Sequence, residues 1–529
     1  VPPNPEMGDY AFPCFVLAKE WKKSPNEIAL ELSRKFKPND VIDEVKVIGP
    51  YLNFFVNKNK IAESTIKQIL KQKDNYGSSN TGRNKKILVE HTSINPNASP
   101  HVGRARNALI GDSIVRTLKF QGYKVETHYF INDVGKQIAM LILGTERKKN
   151  VDFDDLLDIY IEINKKIEEK PELEKKVLGL LNLLEKGDKT TKNKFEKIVK
   201  TCVKGQLKIL SELGIKYDVF DYESKYLWSK KTDETLKRLE KTGKLFIDGF
   251  NRWVLDQKGY GLGMKVPVLV LTRSDGTSLY PLRDIAYSIE KIENGENIVI
   301  LGEDQKLYQE QINAALKELE LKQPRVVHYS FVLLQEGKMS TRKGNLVLLE
   351  DFMKEAVNKA SDELKKRYKK INEKAAKIIA YGAVKYGILK VSPEKNVIFD
   401  WRQALSFEGE TAPYIQYAYA RVSSILKRAK KINSKADLRL LKEKEESELI
   451  KLISNFTEIV NKSTNELKPH LIASYLYSLA QKFNEYYHIH QILKADKNTR
   501  DARILLISAI RQVIGNGLNL LGIGVLERM

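Results

Sequence analysis

Two stretches of this chain concentrate side chains that can handle phosphate. The first runs Asn95-Pro96-Asn97-Ala98-Ser99-Pro100-His101-Val102-Gly103-Arg104, a polar loop between the short apolar run KILVEHT and the long helical pattern HVGRARNALIGDSIVRTLKFQG. Such a loop sets His101, Gly103 and free backbone N–H groups at a helix N-terminus, where unpaired donors and the dipole favour an anion such as a triphosphate. Gly103 has no Cβ to keep a flat base or ribose from the backbone. Taken alone, the same pattern also describes a helix-capping loop. The second stretch is Gly337-Lys338-Met339-Ser340-Thr341-Arg342-Lys343-Gly344-Asn345, between the strand-like RVVHYSFVLL and a helical pattern beginning near Leu349. Its cations and hydroxyls, flanked by glycines, can clamp phosphates and stabilise the charge that builds up in phosphoryl or adenylyl transfer. A plain basic surface loop shares that composition. The order of the two motifs separates the readings: the first follows the first strand of a series, the second follows the last, and a helical region comes next.

These loops need a scaffold. From Lys85 the pattern alternates strand, helix and strand, through KILVEHT, the HVGR helix and KVETHYFIND, and short β-rich runs return at VPVLVLT, NIVILG and RVVHYSFVLL. That alternation predicts an α/β fold with a Rossmann-type, doubly wound parallel sheet. Residues 1–80 read as a small α+β module, with a helix at SPNEIALELSRKF, a strand pattern at VKVIGPYLNFFV and a linker at DNYGSSNTGRNKK. The catalytic α/β domain is expected over 81–345, with a Lys/Glu-rich helical insertion at about 143–240. A connecting helical segment at 346–399 precedes an all-α bundle at 400–529. The bundle is expected to be dispensable for folding of the α/β domain.

Composition narrows the partners. The chain has 529 residues, which at about 150 residues per domain predicts three or four domains. Its formal net charge of +22 implies a polyanion, with nucleic acid ahead of a membrane surface. With 42% hydrophobic residues, wholesale disorder is excluded. Only two cysteines, Cys14 and Cys202, exclude a disulfide scaffold and a thiolate metal framework, and they fit a reducing cytoplasm. No run reaches the roughly 18 apolar residues of a spanning helix, and VPPNPEMGDY carries no secretory pattern. No membrane association is expected.

The paired loops resemble the HIGH and KMSKS signatures of class I aminoacyl-tRNA synthetases. The resemblance narrows to arginyl-tRNA synthetases on VEHTSINPNASPHVG, RNALIGDSIVR, YFINDVGKQ, RSDGTSLYPLRDIAY, KMSTRKGN, LSFEGETAPYIQYAYAR and LGIGVLERM. MGDYAFPCF and GPYLNFFV are similar to that family's additional N-terminal domain, so the match covers nearly the whole chain. The resemblance implies ATP-dependent ligation of arginine to its tRNA through an arginyl-adenylate, with Mg²⁺ accompanying ATP, no protein-bound metal, and a monomer. It implies catalytic roles for His101, Gly103, Arg104, Lys338, Met339, Ser340, Arg342 and Lys343. It also implies an arginine pocket of Glu90, Asn95, Tyr280, Asp284 and Gln305, with Asp284 facing the guanidinium and Glu90 and Asn95 near the α-amino group. Fixed carboxylates and planar acceptors are what a permanently charged, five-donor fork requires.

The bundle resembles an anticodon-binding domain, in which Tyr414, Tyr417, Tyr419, Arg421, Phe483, Tyr486 and Tyr487 would stack on or hold unpaired bases. The chain departs from the family pattern in three places. Arg104 replaces the last His of HIGH, either meeting ATP phosphates in its stead or distorting the site. Thr341 replaces the second lysine of KMSKS, in a form the family also uses. Val134 replaces a common Trp. Two alternatives accompany the main reading: a class I synthetase for another basic amino acid such as lysine, and a catalytically impaired, RNA-binding synthetase-like protein.

Overall fold

The KILVE run, Lys86–Glu90, is the middle strand of a five-stranded sheet in the order Arg325–Tyr329, Glu296–Gly302, Lys86–Glu90, Lys124–Ile131, Val219–Tyr222. Every pairing in it is parallel. A strand covered on both faces reads as an unbroken apolar run, and residues 87–90 are accordingly all buried. From this strand the chain winds first to one side, through 124–131 and 219–222, and then to the other, through 296–302 and 325–329. Strand order therefore reverses between Lys86–Glu90 and Glu296–Gly302, where open α/β sheets hold ligands at their C-terminal ends. This computed structural model describes residues 2, 4–146, 148, 150–334, 347–367, 372–429 and 432–529.

The helix Val102–Phe120 is buried along nearly its whole length. It packs on the sheet and on helices Glu373–Leu389 and Phe456–Glu466. The N-terminal module is a three-stranded antiparallel sheet, ordered Tyr10–Pro13, Tyr51–Val56, Ile42–Ile48, over the helix Pro25–Lys35. That helix starts where SPNE signals it: the Ser24 hydroxyl accepts the Glu27 N–H at 3.3 Å and the Glu27 carboxylate accepts the Ser24 N–H at 2.9 Å. The module has its own small core around Cys14, Ile28, Ala29 and Leu52.

Three expectations are corrected. VPVLVLT does not join the parallel sheet. Its strand Val268–Val270 pairs antiparallel with Trp253–Asp256, which pairs with Leu245–Ile247 in a separate sheet; an apolar run specifies a strand and leaves its partner open. Within the expected helical insertion, helices Asp155–Glu169, Glu172–Glu185 and Lys189–Glu212 form as read, but Val219–Tyr222 is the edge strand of the main sheet. Four residues of alternating exposure amid Lys/Glu-rich helices carry too weak a signal. Residues 346–399 include a strand, Val397–Phe399, paired parallel with Val332–Leu334.

The bundle, built mainly from Ala412–Ala429, Lys444–Ser454, Phe456–Glu466, His470–Ile489 and Lys497–Leu520, is no appendage. Ser113 Oγ in the HVGR helix donates to the Leu520 carbonyl at 3.0 Å, and Tyr76 donates to Ile453 O at 3.0 Å. Lys385 Nζ donates to Leu213 O at 2.6 Å and also to Gly522 O. One apolar core runs through both regions, so the α/β domain, expected to fold without the bundle, shares its packing with it. Among the described residues no helix is long and apolar enough to cross a membrane.

Candidate active site

At the reversal point lies a cavity of about 370 Å³, lined among others by Glu90, Ser93, Asn95, Asn132, Tyr280, Asp284, Tyr287, Lys291, Gln305 and Tyr308. The structure thus brings the five residues of the expected amino-acid pocket to one place. Glu90 and Asn95 come from the end of the central strand and the loop after it, and Gln305 from the turn after Glu296–Gly302. Tyr280 and Asp284 sit on the first turns of the helix Tyr280–Asn294. Tyr280, Asp284, Tyr287 and Lys291 recur at helical spacing, so one face of that helix forms a wall of the cavity.

Sequence reading missed Tyr287, Lys291 and Tyr308. Lys291 was findable as the residue two turns beyond Asp284; Tyr308 was not, because only the fold brings its helix, Lys306–Glu318, against the other. Tyr308 donates its hydroxyl to the Asp284 carboxylate, and its ring lies 5.3 Å from that of the half-exposed Tyr280. Lys291 is ion-paired with Glu90 and stands 4.2 Å from the centre of the Tyr287 ring. Arg283 Nε holds Glu223 at 2.7 Å nearby. Burial, with the Glu223 charge adding to it, pushes the Asp284 carboxyl up to about 7 despite the Tyr308 hydrogen bond. A cation in the cavity would favour the ionised form.

The loop that carries Ser93 and Asn95 is held under strain. Thr92 and Ser93 have φ of 86° and 44°, the left-handed region that β-branched residues avoid. Asn107 of the HVGR helix accepts the Thr92 N–H at 2.5 Å and donates to Ile300 O at 2.8 Å. The Thr92 hydroxyl lies 2.5 Å from that of Tyr217. Gln206, from the inserted helices, donates to the carbonyls of Asn95 and Ala98 at 2.9 Å each. Helix, sheet and insertion together fix the backbone of this loop, and the exposed Asn95 amide donates to Gln137 Oε1 at 3.1 Å.

His101 is the N-cap residue of the helix Val102–Phe120 and makes no side-chain cap. Its Nδ1 is buried without a partner among the described residues. Burial, then the Arg104 charge, brings the imidazole down to about 4, so the neutral ring has one donor and one acceptor to offer. Arg104 is partly exposed, with no acidic partner among the described residues. His101, Gly103 and Arg104 do not line the 370 Å³ cavity; they lie at the N-terminus of the helix Val102–Phe120. Lys338, Met339, Ser340, Thr341, Arg342 and Lys343 of the expected phosphate clamp fall on 335–346, outside the described residues. The chain on the C-terminal side of that segment is anchored at the HVGR loop. The Val102 N–H donates to Val347 O at 3.1 Å, the Leu349 N–H donates to Pro100 O at 2.7 Å, and His101 bridges to Leu348. Val134 packs partly buried against the core.

In the bundle, Tyr414, Tyr417 and Arg421 line a groove of about 460 Å³ with Asn484 and His488. The Arg421 guanidinium lies 4.5 Å from the Tyr417 ring centre and 4.7 Å from that of Tyr487, and donates to Asn484 Oδ1 at 2.9 Å. The other three expected contacts are corrected. Phe483 and Tyr486 are 0% exposed and offer no face to a base, because both occupy core positions of the helix His470–Ile489. Tyr419 turns the other way, against Arg511 at 4.9 Å and beside Gly515.

Comparison with known proteins agrees with this geometry. The family model "tRNA synthetases class I (R), catalytic domain" matches residues 65–401. "Arginyl tRNA synthetase N terminal domain" matches 1–56 and "DALR anticodon binding domain" matches 415–529. An arginine–tRNA ligase of Methanocaldococcus jannaschii is 40% identical, covering 100% of this chain and 95% of the relative. One of Archaeoglobus fulgidus is 38% identical over 97% of this chain and 94% of its own. The solved arginyl-tRNA synthetase of Thermus thermophilus superposes with a TM-score of 0.87 at 28% identity, covering 100% of this chain and 95% of that one. Shared architecture at the sheet's reversal point and relatedness along the whole chain lead to one conclusion: this chain belongs to the class I arginyl-tRNA synthetases.

Proposed function

We propose that, in the ATP-dependent joining of arginine to tRNA that this family carries out, the 370 Å³ cavity holds the amino acid and the HVGR helix holds ATP. The observation that carries this reading is the convergence of Glu90, Asn95, Tyr280, Asp284 and Gln305 on one cavity at the sheet's switch point. Asp284, oriented by Tyr308, offers the guanidinium a paired acceptor, and Tyr280 closes over its plane. Asn95 holds the α-amino end. The arginine carboxylate then attacks the α-phosphate and pyrophosphate leaves; a hydroxyl of the 3′-terminal ribose of the tRNA next attacks the carbonyl of the arginyl-adenylate, and AMP leaves. His101, Gly103 and the N–H groups of the helix N-terminus bind ATP, which arrives with Mg²⁺ as part of the substrate. Arg104, unpaired by any carboxylate among the described residues, meets the phosphates in place of the missing His. Lys338, Met339, Ser340, Arg342 and Lys343 complete the phosphate clamp.

The groove at Tyr414, Tyr417, Arg421 and Tyr487 receives an unpaired base of the tRNA, and the N-terminal module, residues 1–80, supplies a further tRNA contact. The functional division is 81–345 for catalysis, 346–399 as connector and 400–529 for the anticodon. The enzyme acts in the cytoplasm as a monomer. Steady-state tRNA charging by two variants tests the reading. Asp284→Asn should raise KM for arginine by a factor equivalent to roughly 2–4 kcal/mol while KM for ATP holds, because a neutral amide cannot make the charge-assisted bond. Arg104→Ala should lower kcat and leave KM for arginine unchanged. An arginine KM within about threefold of wild type in Asp284→Asn removes that residue from the pocket.

A further inference from the structure

The stretch YFINDVGKQ ends in a side chain that holds one residue of the proposed amino-acid pocket. Gln137 is the second residue of the helix Lys136–Thr145, which follows the strand Lys124–Ile131 of the main sheet. It does not itself line the 370 Å³ cavity. Its Oε1 accepts from the Asn95 amide at 3.1 Å, and its Nε2 donates to the Tyr160 hydroxyl at 3.1 Å. Tyr160 lies on Asp155–Glu169, in the helical insertion. From the same insertion Gln206 holds the Asn95 backbone carbonyl at 2.9 Å. We infer that Gln137 is a positioning residue for arginine, one that turns the Asn95 side chain so that its oxygen meets the α-ammonium of the substrate.

This rests on the reading of the cavity as the arginine site and of Asn95 as the holder of the α-amino end. An asparagine amide offers two donors at its nitrogen and an acceptor at its oxygen. An α-ammonium has donors only, so it needs the oxygen end. Asn95 is exposed on its loop, where a free side chain turns either end toward a ligand. Gln137 makes the choice. Its amide nitrogen is spent on Tyr160, so it presents an oxygen, and an oxygen engages the nitrogen end of Asn95. Asn95 Oδ1 is then left for a donor in the cavity that Asn95 lines. An exposed bond of this kind adds little to stability, because water replaces it when it is lost. What it changes is the number of side-chain orientations given up when the ligand binds. Through Gln206 and through Tyr160 with Gln137, the insertion thus holds both the backbone and the side chain of Asn95.

The test uses the full chain with its tRNA and two ligands, arginine and δ-guanidinovalerate, which is arginine without its α-amino group. The readouts are KM for arginine in tRNA charging and the inhibition constant of δ-guanidinovalerate against it. A side chain that acts on the α-ammonium changes the first and not the second, whereas a general loosening of the pocket raises both and leaves their ratio unchanged. In Gln137→Met the ratio of inhibition constant to arginine KM should fall by about fivefold or more. Gln137→Glu keeps an oxygen for the Asn95 nitrogen and accepts from Tyr160, so there the ratio should fall by no more than about twofold. Gln137→Met placed on Asn95→Ala should add no further change, since the side chain it acts through is gone. The inference is overturned if Gln137→Met, with wild-type circular dichroism, keeps the wild-type ratio. It is also overturned if Gln137→Glu lowers the ratio as far as Gln137→Met does, or if the two effects multiply in the double variant. Should the methionine variant fail to fold, Gln137→Ala decides. Asn95→Ala alone separates the two readings. An unchanged ratio there removes Asn95 from the α-amino end, whereas a lowered ratio there with an unchanged ratio in Gln137→Met removes only this inference.

Discussion

Asp284, proposed above to bind the guanidinium, acts in the empty pocket against the stability of its own fold. Burial and the Glu223 charge hold its carboxyl up to about 7, far above the ordinary carboxylate range. Between the unfolded value and about 7 the native state binds the extra proton, so stability is full at low pH and is lost as pH rises through about 7. Arginine binding has the opposite preference, since the guanidinium needs the ionised form. KM for arginine should therefore climb as pH falls below about 7, approaching tenfold per unit, and Asp284→Asn should flatten that profile. The same variant, measured without substrates at pH 8, should melt at a higher temperature than wild type, a gain on the order of 1 kcal/mol or more. A lower melting temperature there would show that the carboxylate stabilises the empty pocket. The identity of Asp284 was legible in SLYPLRD; its proton affinity was not, because Glu223 and Tyr308 come from distant parts of the chain.

At the scale of elements, the HVGR helix couples the two halves of the site. Arg106, fully buried, donates through Nη1 to Ser330 O at 2.6 Å and through Nη2 to Ser392 O at 2.9 Å. It thereby fastens the helix to the chain just before Val332–Leu334, the strand that leads into the basic segment. Burial brings the guanidinium down to about 10, so it stays charged at neutral pH. Arg106→Lys keeps the charge and loses the fork, leaving buried carbonyls unpaired. It should cost roughly 2–4 kcal/mol in urea unfolding and lower kcat with KM for arginine unchanged. Equal stability of the variant would mean that the carbonyls find other donors. The helix itself was plain from the sequence, as was the helix that starts at SPNE, since both rest on neighbours a turn away. The edge strand Val219–Tyr222 and the separate sheet holding Val268–Val270 were not, since a strand's partner is a long-range choice.

At the scale of the whole molecule, the catalytic and helical regions share one core, and the helix Lys497–Leu520 ends against the HVGR helix through Ser113 and Leu520. Removing residues 400–529 should therefore leave an aggregating or protease-sensitive remnant and not a folded α/β domain, because the bundle-facing surface of Val102–Phe120 would be stripped of its cover. Limited proteolysis and a melting curve of the truncated chain check this; a sharp melt near that of the intact protein would show an independent domain. By itself the sequence carried the strand–helix alternation of the parallel sheet, the helices of the bundle, two loops rich in phosphate-handling side chains, a charge that suits a polyanion and the residue types that converge on the cavity, because local periodicity, turn chemistry and charge are properties of short windows. Tertiary structure alone decided that Lys291 pairs with Glu90, that Tyr308 orients Asp284, that Phe483 and Tyr486 are core and Tyr419 faces away, and that bundle and sheet are one body. Each of these is a contact between residues far apart in the chain, and packing selects such contacts from many partners that a single sequence leaves equally open.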